Sequence, residues 1–174
     1  MTRVLKILGV VFIGCLCQTN LANKIRFSGI APDFIAVVLV SMSRYYGTFG
    51  GICAGMIIGM LYDSTVGYVL ALDLVAYTAI GYFAPFLYRA FQGKHNKRPY
   101  ESIIVLSAVC FMLSLGHELL NIGYLFLIGA QQSLAITIIR ALIGSMYSTV
   151  WVVPFSLLLE KLFAKPSVDT ERTF

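Results

Sequence analysis

The sequence predicts an all-α fold, a polytopic membrane helix bundle of about six spans with both termini cytoplasmic, and three observations carry that prediction. Of the 174 residues, 59% are apolar and only 12% charged, against about 45–50% and 25% in an ordinary soluble domain. The apolar residues fall into about six runs, several of them near the roughly 20 residues that cross about 30 Å of hydrocarbon. Lys and Arg are unevenly shared among the stretches between runs. With the N-terminus inside, ten of the thirteen fall on the inner side, Lys24 and Arg26 outside, and Arg140 within a run. That asymmetry obeys the positive-inside rule. Residues 1–163 therefore read as a single transmembrane domain, and 164–174 as a cytoplasmic tail expected to be disordered.

The first run, Ile7 to about Ala22, follows Arg3 and Lys6. It imitates a secretory signal, and Phe12-Ile13-Gly14-Cys15 resembles a lipoprotein cleavage box with Phe where that pattern wants Leu; an uncleaved first helix is the expectation. Pro32-Asp33 opens a short second run, Phe34 to Met42. Proline loses no hydrogen bond at a helix start, and Asp suits the positive end of the helix dipole. So short a helix starts earlier, tilts or is shielded inside the bundle.

The third run, about Thr48 to Tyr62, is the glycine helix, with Gly51, Gly55 and Gly59 at intervals of four between Gly47 and Gly67. On one helix face these make a groove without side chains, into which a neighbouring helix or a partner's span can press its backbone. Asp63-Ser64-Thr65 turns the chain into a fourth run, Val66 to Tyr88. A basic loop with Arg89, Lys94, His95, Lys97 and Arg98 follows. The fifth run starts at Ser102 and ends near Leu120 or continues through Ile128. The sixth, Leu134 to Leu159, contains Arg140 and Pro154. Tyrosines and Trp151 gather partly near the span ends, as an interfacial belt does.

The formal charge of +5 does not indicate nucleic acid, because the cations lie between apolar runs and form no basic face. Cys15, Cys17, Cys53 and Cys110 lie in apolar runs without metal-ligand spacing and read as small buried hydrophobes. His117-Glu118 has the first two residues of a zinc-protease helix, but position 121, where the second His belongs, is Asn. No nucleophile elbow, phosphate loop or dinucleotide fingerprint is present, so neither a metal, a cofactor nor enzymatic turnover is expected. Asp63, Asp73, Glu118 and Arg140 remain as ionisable groups in or beside the runs, where an unpaired charge costs at least about 2.5–3.5 kcal/mol. They read as an outer-leaflet polar cluster in which Arg140 pairs with Asp73 or Glu118 and Asp63 lies nearer the surface.

Taken together, Pro32-Asp33, then Gly47, Gly51, Gly55 and Gly59, then Leu61-Tyr62-Asp63 with Gly67 four residues on, and a last run with Pro154 and a basic tail, resemble MreD, the rod shape-determining membrane protein family. Ala71 departs from the family's tendency to a further glycine but keeps a small residue. The resemblance implies a non-enzymatic subunit of the cell-elongation machinery in the bacterial inner membrane. Its implied partners are MreC, MreB, RodA and the elongation penicillin-binding transpeptidase, in a surrounding of membrane lipid. It also implies a fold similar to the substrate-binding subunits of energy-coupling-factor vitamin transporters. Such a subunit is the alternative function; against it, the run from Val4 to Leu21 holds no Ala for the Ala-xxx-Ala docking face those subunits share. Neither nucleic acid nor a small-molecule ligand is expected as a partner.

Overall fold

The computed structural model describes residues 2–65, 72–92, 99–129 and 133–163. These are helical almost throughout. Helix α1 (Thr2–Leu16) continues through a wide π turn (Cys17–Leu21) and a last turn (Ala22–Lys24). There follow α2 (Phe34–Thr65), α3 (Leu72–Gln92), α4 (Pro99–Leu127), α5 (Leu134–Val150) and α6 (Val152–Phe163). Gly67, Lys94, His95, Lys97, Arg98 and the tail at 164–174 lie outside the described residues. Among the described residues two stretches are long and apolar enough to cross a membrane, Glu101–Leu127 with mean hydropathy 2.0 and Leu134–Phe163 with 1.6.

The second and third runs make up α2, two helical arms that meet at a kink. A straight helix of 32 residues would be about 48 Å long. Yet Asp33, just before its start, and Tyr62, near its end, both touch Tyr77: the Asp33 carboxylate accepts from the Tyr77 hydroxyl at 3.4 Å, and the Tyr62 and Tyr77 rings are 6.0 Å apart. The chain reverses at Gly47, the one residue inside α2 with non-helical angles (φ 65°, ψ −172°). A side chain is disfavoured at such a φ. Of the three expectations for the short second run, the structure selects shielding: Phe34 to Val40 are each at most 4% exposed. A helix apolar all round is what a central position demands. Edge-on contact of Trp151 with Phe34, centroids 5.2 Å apart, closes one side of it.

The second arm of α2, residues 48–65, carries the glycine ridge, and α3 fills it. A Cβ at Gly51 would overlap the Gly81 carbonyl, one at Gly55 the Tyr77 carbonyl, one at Gly59 the Leu74 backbone, and one at Gly81 the Gly51 carbonyl. The two backbones touch directly. Pro85 contributes to this, because it has no N–H for the carbonyl four residues back, which is that of Gly81. This carbonyl faces Gly51 instead. The ridge is therefore an internal seam between α2 and α3.

Two ends differ from a simple reading of the runs. The fifth run continues through Leu127 rather than stopping near Leu120. Gly129, at φ 73°, then ends it, its N–H donating to the Phe126 carbonyl at 3.1 Å. The sixth run breaks between α5 and α6 at Trp151, because Pro154 has no N–H for the Val150 carbonyl. Among the cysteines only Cys110 is buried, while Cys53 is exposed on the face of α2 turned away from the seam.

The seam makes a stability prediction. Gly55→Ala should destabilise the protein by about 1–3 kcal/mol, the cost of overpacking, because its Cβ meets backbone that cannot rotate away. Gly123→Ala, whose Cβ would have nothing within 4 Å, should instead gain about 0.5–1 kcal/mol from helix propensity. Thermal melting of both variants in detergent checks this, and equal melting temperatures would contradict it.

Candidate functional site

At the bundle end where α1 finishes, the loop 25–33, the starts of α3 and α5 and the middle of α4 surround a cavity of about 500 Å³. Its floor is a hydrogen-bonded group built on three helices. His117 of α4 presents Nδ1 to Asp33 Oδ2 and Nε2 to Asp73 Oδ1, each at 3.1 Å. The side chains of His117, Asp33 and Asp73 are 8%, 13% and 17% exposed. With both carboxylates ionised, each only accepts, so both ring nitrogens donate. Asn121, one turn further along α4, stands with its amide 3.2 Å from Nε2. Turned so that its oxygen faces the ring, that amide becomes a second acceptor. The Tyr77 ring packs on the imidazole, centroids 4.8 Å apart.

Each carboxylate is placed by local backbone chemistry. Asp33 caps the start of α2, its Oδ1 accepting the Ala36 N–H at 3.0 Å, as an N-cap aspartate does. Its own N–H donates to Ser148 Oγ at 2.8 Å, and the next amide, of Phe34, donates to Gln18 Oε1 at 2.7 Å. The π turn Cys17–Leu21 helps set Gln18 there. Thr19 and Asn20 return hydrogen bonds to the Cys15 and Leu16 carbonyls at the end of α1, and Asn23 to that of Thr19 within the turn, offsetting its poorer backbone geometry. Asp73 stands in the first turn of α3. Asp63, at the end of α2, accepts the amides of Asp73 at 3.3 Å and Leu74 at 2.9 Å, satisfying donors that a helix start leaves open.

The four ionisable residues singled out from sequence are thus distributed unevenly. Asp73, Glu118 and Arg140 line the cavity, whereas Asp63 caps α3 and is not among the lining residues. The expected pairing of Arg140 with Asp73 or Glu118 is not made. Among the described residues the ion pairs are those of His117 with Asp33 and with Asp73, and Arg140 Nη2 donates to the Gly29 carbonyl at 3.4 Å. For Asp73, on the floor, the reason is height along α5. Ser148 is the α5 residue that reaches Asp33, and Arg140, eight residues earlier, stands about 12 Å away along the helix.

Sequence reasoning treated Asp33 only as a helix start and left His117 without a role. The available signal was His117 itself, an ionisable group inside an apolar run, which marks a site by default. A second polar contact lies at the opposite end of the bundle. There Arg44 donates to Ser102 Oγ at 3.3 Å and to the Ser156 carbonyl at 3.5 Å, while Tyr88 and Ser102 share a hydrogen bond of 2.7 Å. It ties α2, α3, α4 and α6 together.

A family model described as rod shape-determining protein MreD matches residues 1–165 of the chain, a stretch that includes every described helix. Comparison with curated proteins and with solved structures gives no match.

The Asp33–His117–Asp73 group yields a second prediction. His117→Ala leaves two part-buried carboxylates facing each other without their shared donor, and should cost about 3–5 kcal/mol, as breaking a buried ion pair does. Asp63→Ala removes only a helix cap and should cost about 0.5–2 kcal/mol. Melting curves at neutral pH decide it: a His117→Ala loss no larger than that of Asp63→Ala would contradict the pairing.

Proposed function

Because this chain belongs to the MreD family of rod shape-determining membrane proteins, we propose that it acts as a non-enzymatic, multi-pass subunit of the elongation complex in the bacterial inner membrane. In this reading it binds MreC and, with MreB, RodA and the elongation transpeptidase, helps to coordinate lateral peptidoglycan synthesis. The observation that carries the reading is the family match across residues 1–165.

Other features support it. The Lys and Arg distribution favours six crossings with both termini in the cytoplasm, which puts the cavity at the outer face and Arg44 at the inner one. The reversal at Gly47 divides α2 into two arms, which six crossings require. Two of the ionisable groups serve architecture: both ring nitrogens of His117 and both oxygens of Asp63 are engaged within the chain. That arrangement favours a subunit working by contact. With the glycine seam closed by α3, contact with a partner's span falls to the outward faces of the bundle. The vitamin-transporter alternative draws nothing from the family match, and α1 offers no Ala-xxx-Ala face between Thr2 and Leu16.

The test is copurification. A tagged full-length chain co-expressed with MreC should retain it in mild detergent, and depletion of the chain should turn rods into rounded cells. A folded protein that retains no MreC and whose loss leaves rod shape intact would overturn the reading.

A further inference from the structure

Beside the polar cavity lies a second, apolar one of about 470 Å³, lined by Phe27, Ile30, Ile143, Met146, Tyr147 and Val150. Ile30 lines both, so chamber and groove share a wall. The division between them follows α5. Thr137, Arg140 and Ala141 border the chamber, and Ile143, Met146, Tyr147 and Val150 border the groove. From Arg140 to Val150 the helix advances about 15 Å, from the polar end of the bundle toward its apolar middle. The other wall is the tight turn in the loop 25–33, closed by the paired hydrogen bonds of Phe27 and Ile30 at 2.9 and 3.0 Å. Tyr147 fastens it to α5 through the Ile25 carbonyl at 2.9 Å.

The chamber also holds two opposite charges that do not meet. Glu118 on α4 and Arg140 on α5 both line it, yet no ion pair within 4.0 Å joins them among the described residues, where His117 takes both ion pairs. Among the described residues Arg140 reaches the Gly29 carbonyl, one acceptor for a guanidinium that carries five N–H donors. A complementary ligand carries an anionic group for Arg140 and a cationic group for Glu118. It also carries an apolar chain that leaves the chamber past Ile30 and runs down α5. A soluble zwitterion meets the first two requirements and leaves the groove empty; an anionic lipid meets the first and third and brings Glu118 no ion-pair partner.

We propose that this composite site binds one amine-bearing phospholipid, its phosphate on Arg140, its ammonium toward Glu118 and an acyl chain in the groove between the loop 25–33 and α5. The head lies at the polar end of α5 and the tail points to the middle of the bundle, the orientation of a lipid within its own leaflet. Under the orientation proposed above that leaflet is the outer one. The site itself does not depend on the role in cell elongation.

Native mass spectrometry of the full-length protein, titrated with phosphatidylethanolamine, phosphatidylglycerol and soluble glycerophosphoethanolamine, tests the proposal. Phosphatidylethanolamine should bind in preference to the other two. Glu118→Gln should remove the preference over phosphatidylglycerol. Arg140→Ala should weaken both lipids about tenfold or more, the scale of one charge-assisted hydrogen bond. Ile143→Trp, which fills the groove and leaves the chamber's polar groups in place, should abolish lipid binding. Equal binding of the two lipids by the unaltered protein overturns the proposal, as does glycerophosphoethanolamine binding as tightly as the intact lipid. Selectivity unchanged in Glu118→Gln does so too. Should a variant melt early, the unaltered protein's ranking of the three ligands decides alone. Loss of MreC copurification with lipid selectivity retained would remove the elongation reading and leave this site standing.

Discussion

Direct contact between the backbones of α2 and α3 is the constraint on which the rest of the structure depends. Between helices in hydrocarbon the hydrophobic effect supplies no attraction, so association rests on close van der Waals packing and on hydrogen bonds. Gly51 and Gly81 meet where a Cβ on either would overlap the other's carbonyl. Pro85 leaves the Gly81 carbonyl without its helical donor, and the seam gives that group a place against a glycine Cα, a geometry suited to a weak Cα–H···O contact. Reversal at Gly47 then folds the first arm of α2 into the centre of the bundle. The seam also sets heights. By fixing α3 against the second arm, it brings the α3 start to Asp63 and places Asp73 and Tyr77 level with His117.

The polar floor of the cavity builds on those heights. Asp33, Asp73 and His117 come from the starts of two helices and the middle of a third, and each would be costly alone in an apolar bundle. Together they satisfy one another. Both aspartates occupy helix N-termini, where an anion is favoured by the free amides and the dipole, so the carboxylates are held before His117 joins them. The imidazole then links α4 to the α2–α3 pair.

Arg140 and Glu118 stand apart from this network. They face the same chamber without a mutual ion pair, above a group in which His117 bridges both aspartates. That separation makes the chamber chemically distinct from its floor. A structural cluster below and an open pair of opposite charges above, beside an apolar groove, is how a bundle can be rigid and still present a surface with specificity for something in the membrane around it.

Much of the fold was legible in the residues themselves. Whereas the reversal at Gly47 emerged only with the structure, composition and run lengths require helices, Pro32-Asp33 marks a start, and the spacing of Gly51, Gly55 and Gly59 announces a backbone contact. Each is a local property, fixed by sterics or by the hydrogen-bond needs of a helix end. The family, too, could be recognised from those motifs. What the sequence left open was which helix enters the groove and which charge meets which. Gly81 sits in an unremarked part of the fourth run, and the partner it finds is 30 positions away. Arg140 was the obvious cation for Asp73, but the break at Trp151 and the full length of α4 set the register of α5. That register leaves Arg140 about 12 Å from the floor along the helix and delivers Ser148 there instead. Local chemistry determined the helices and their ends; the relative height of helices distant in sequence decided the site, because a hydrogen bond has a reach of about 3 Å and one helical turn of displacement exceeds it.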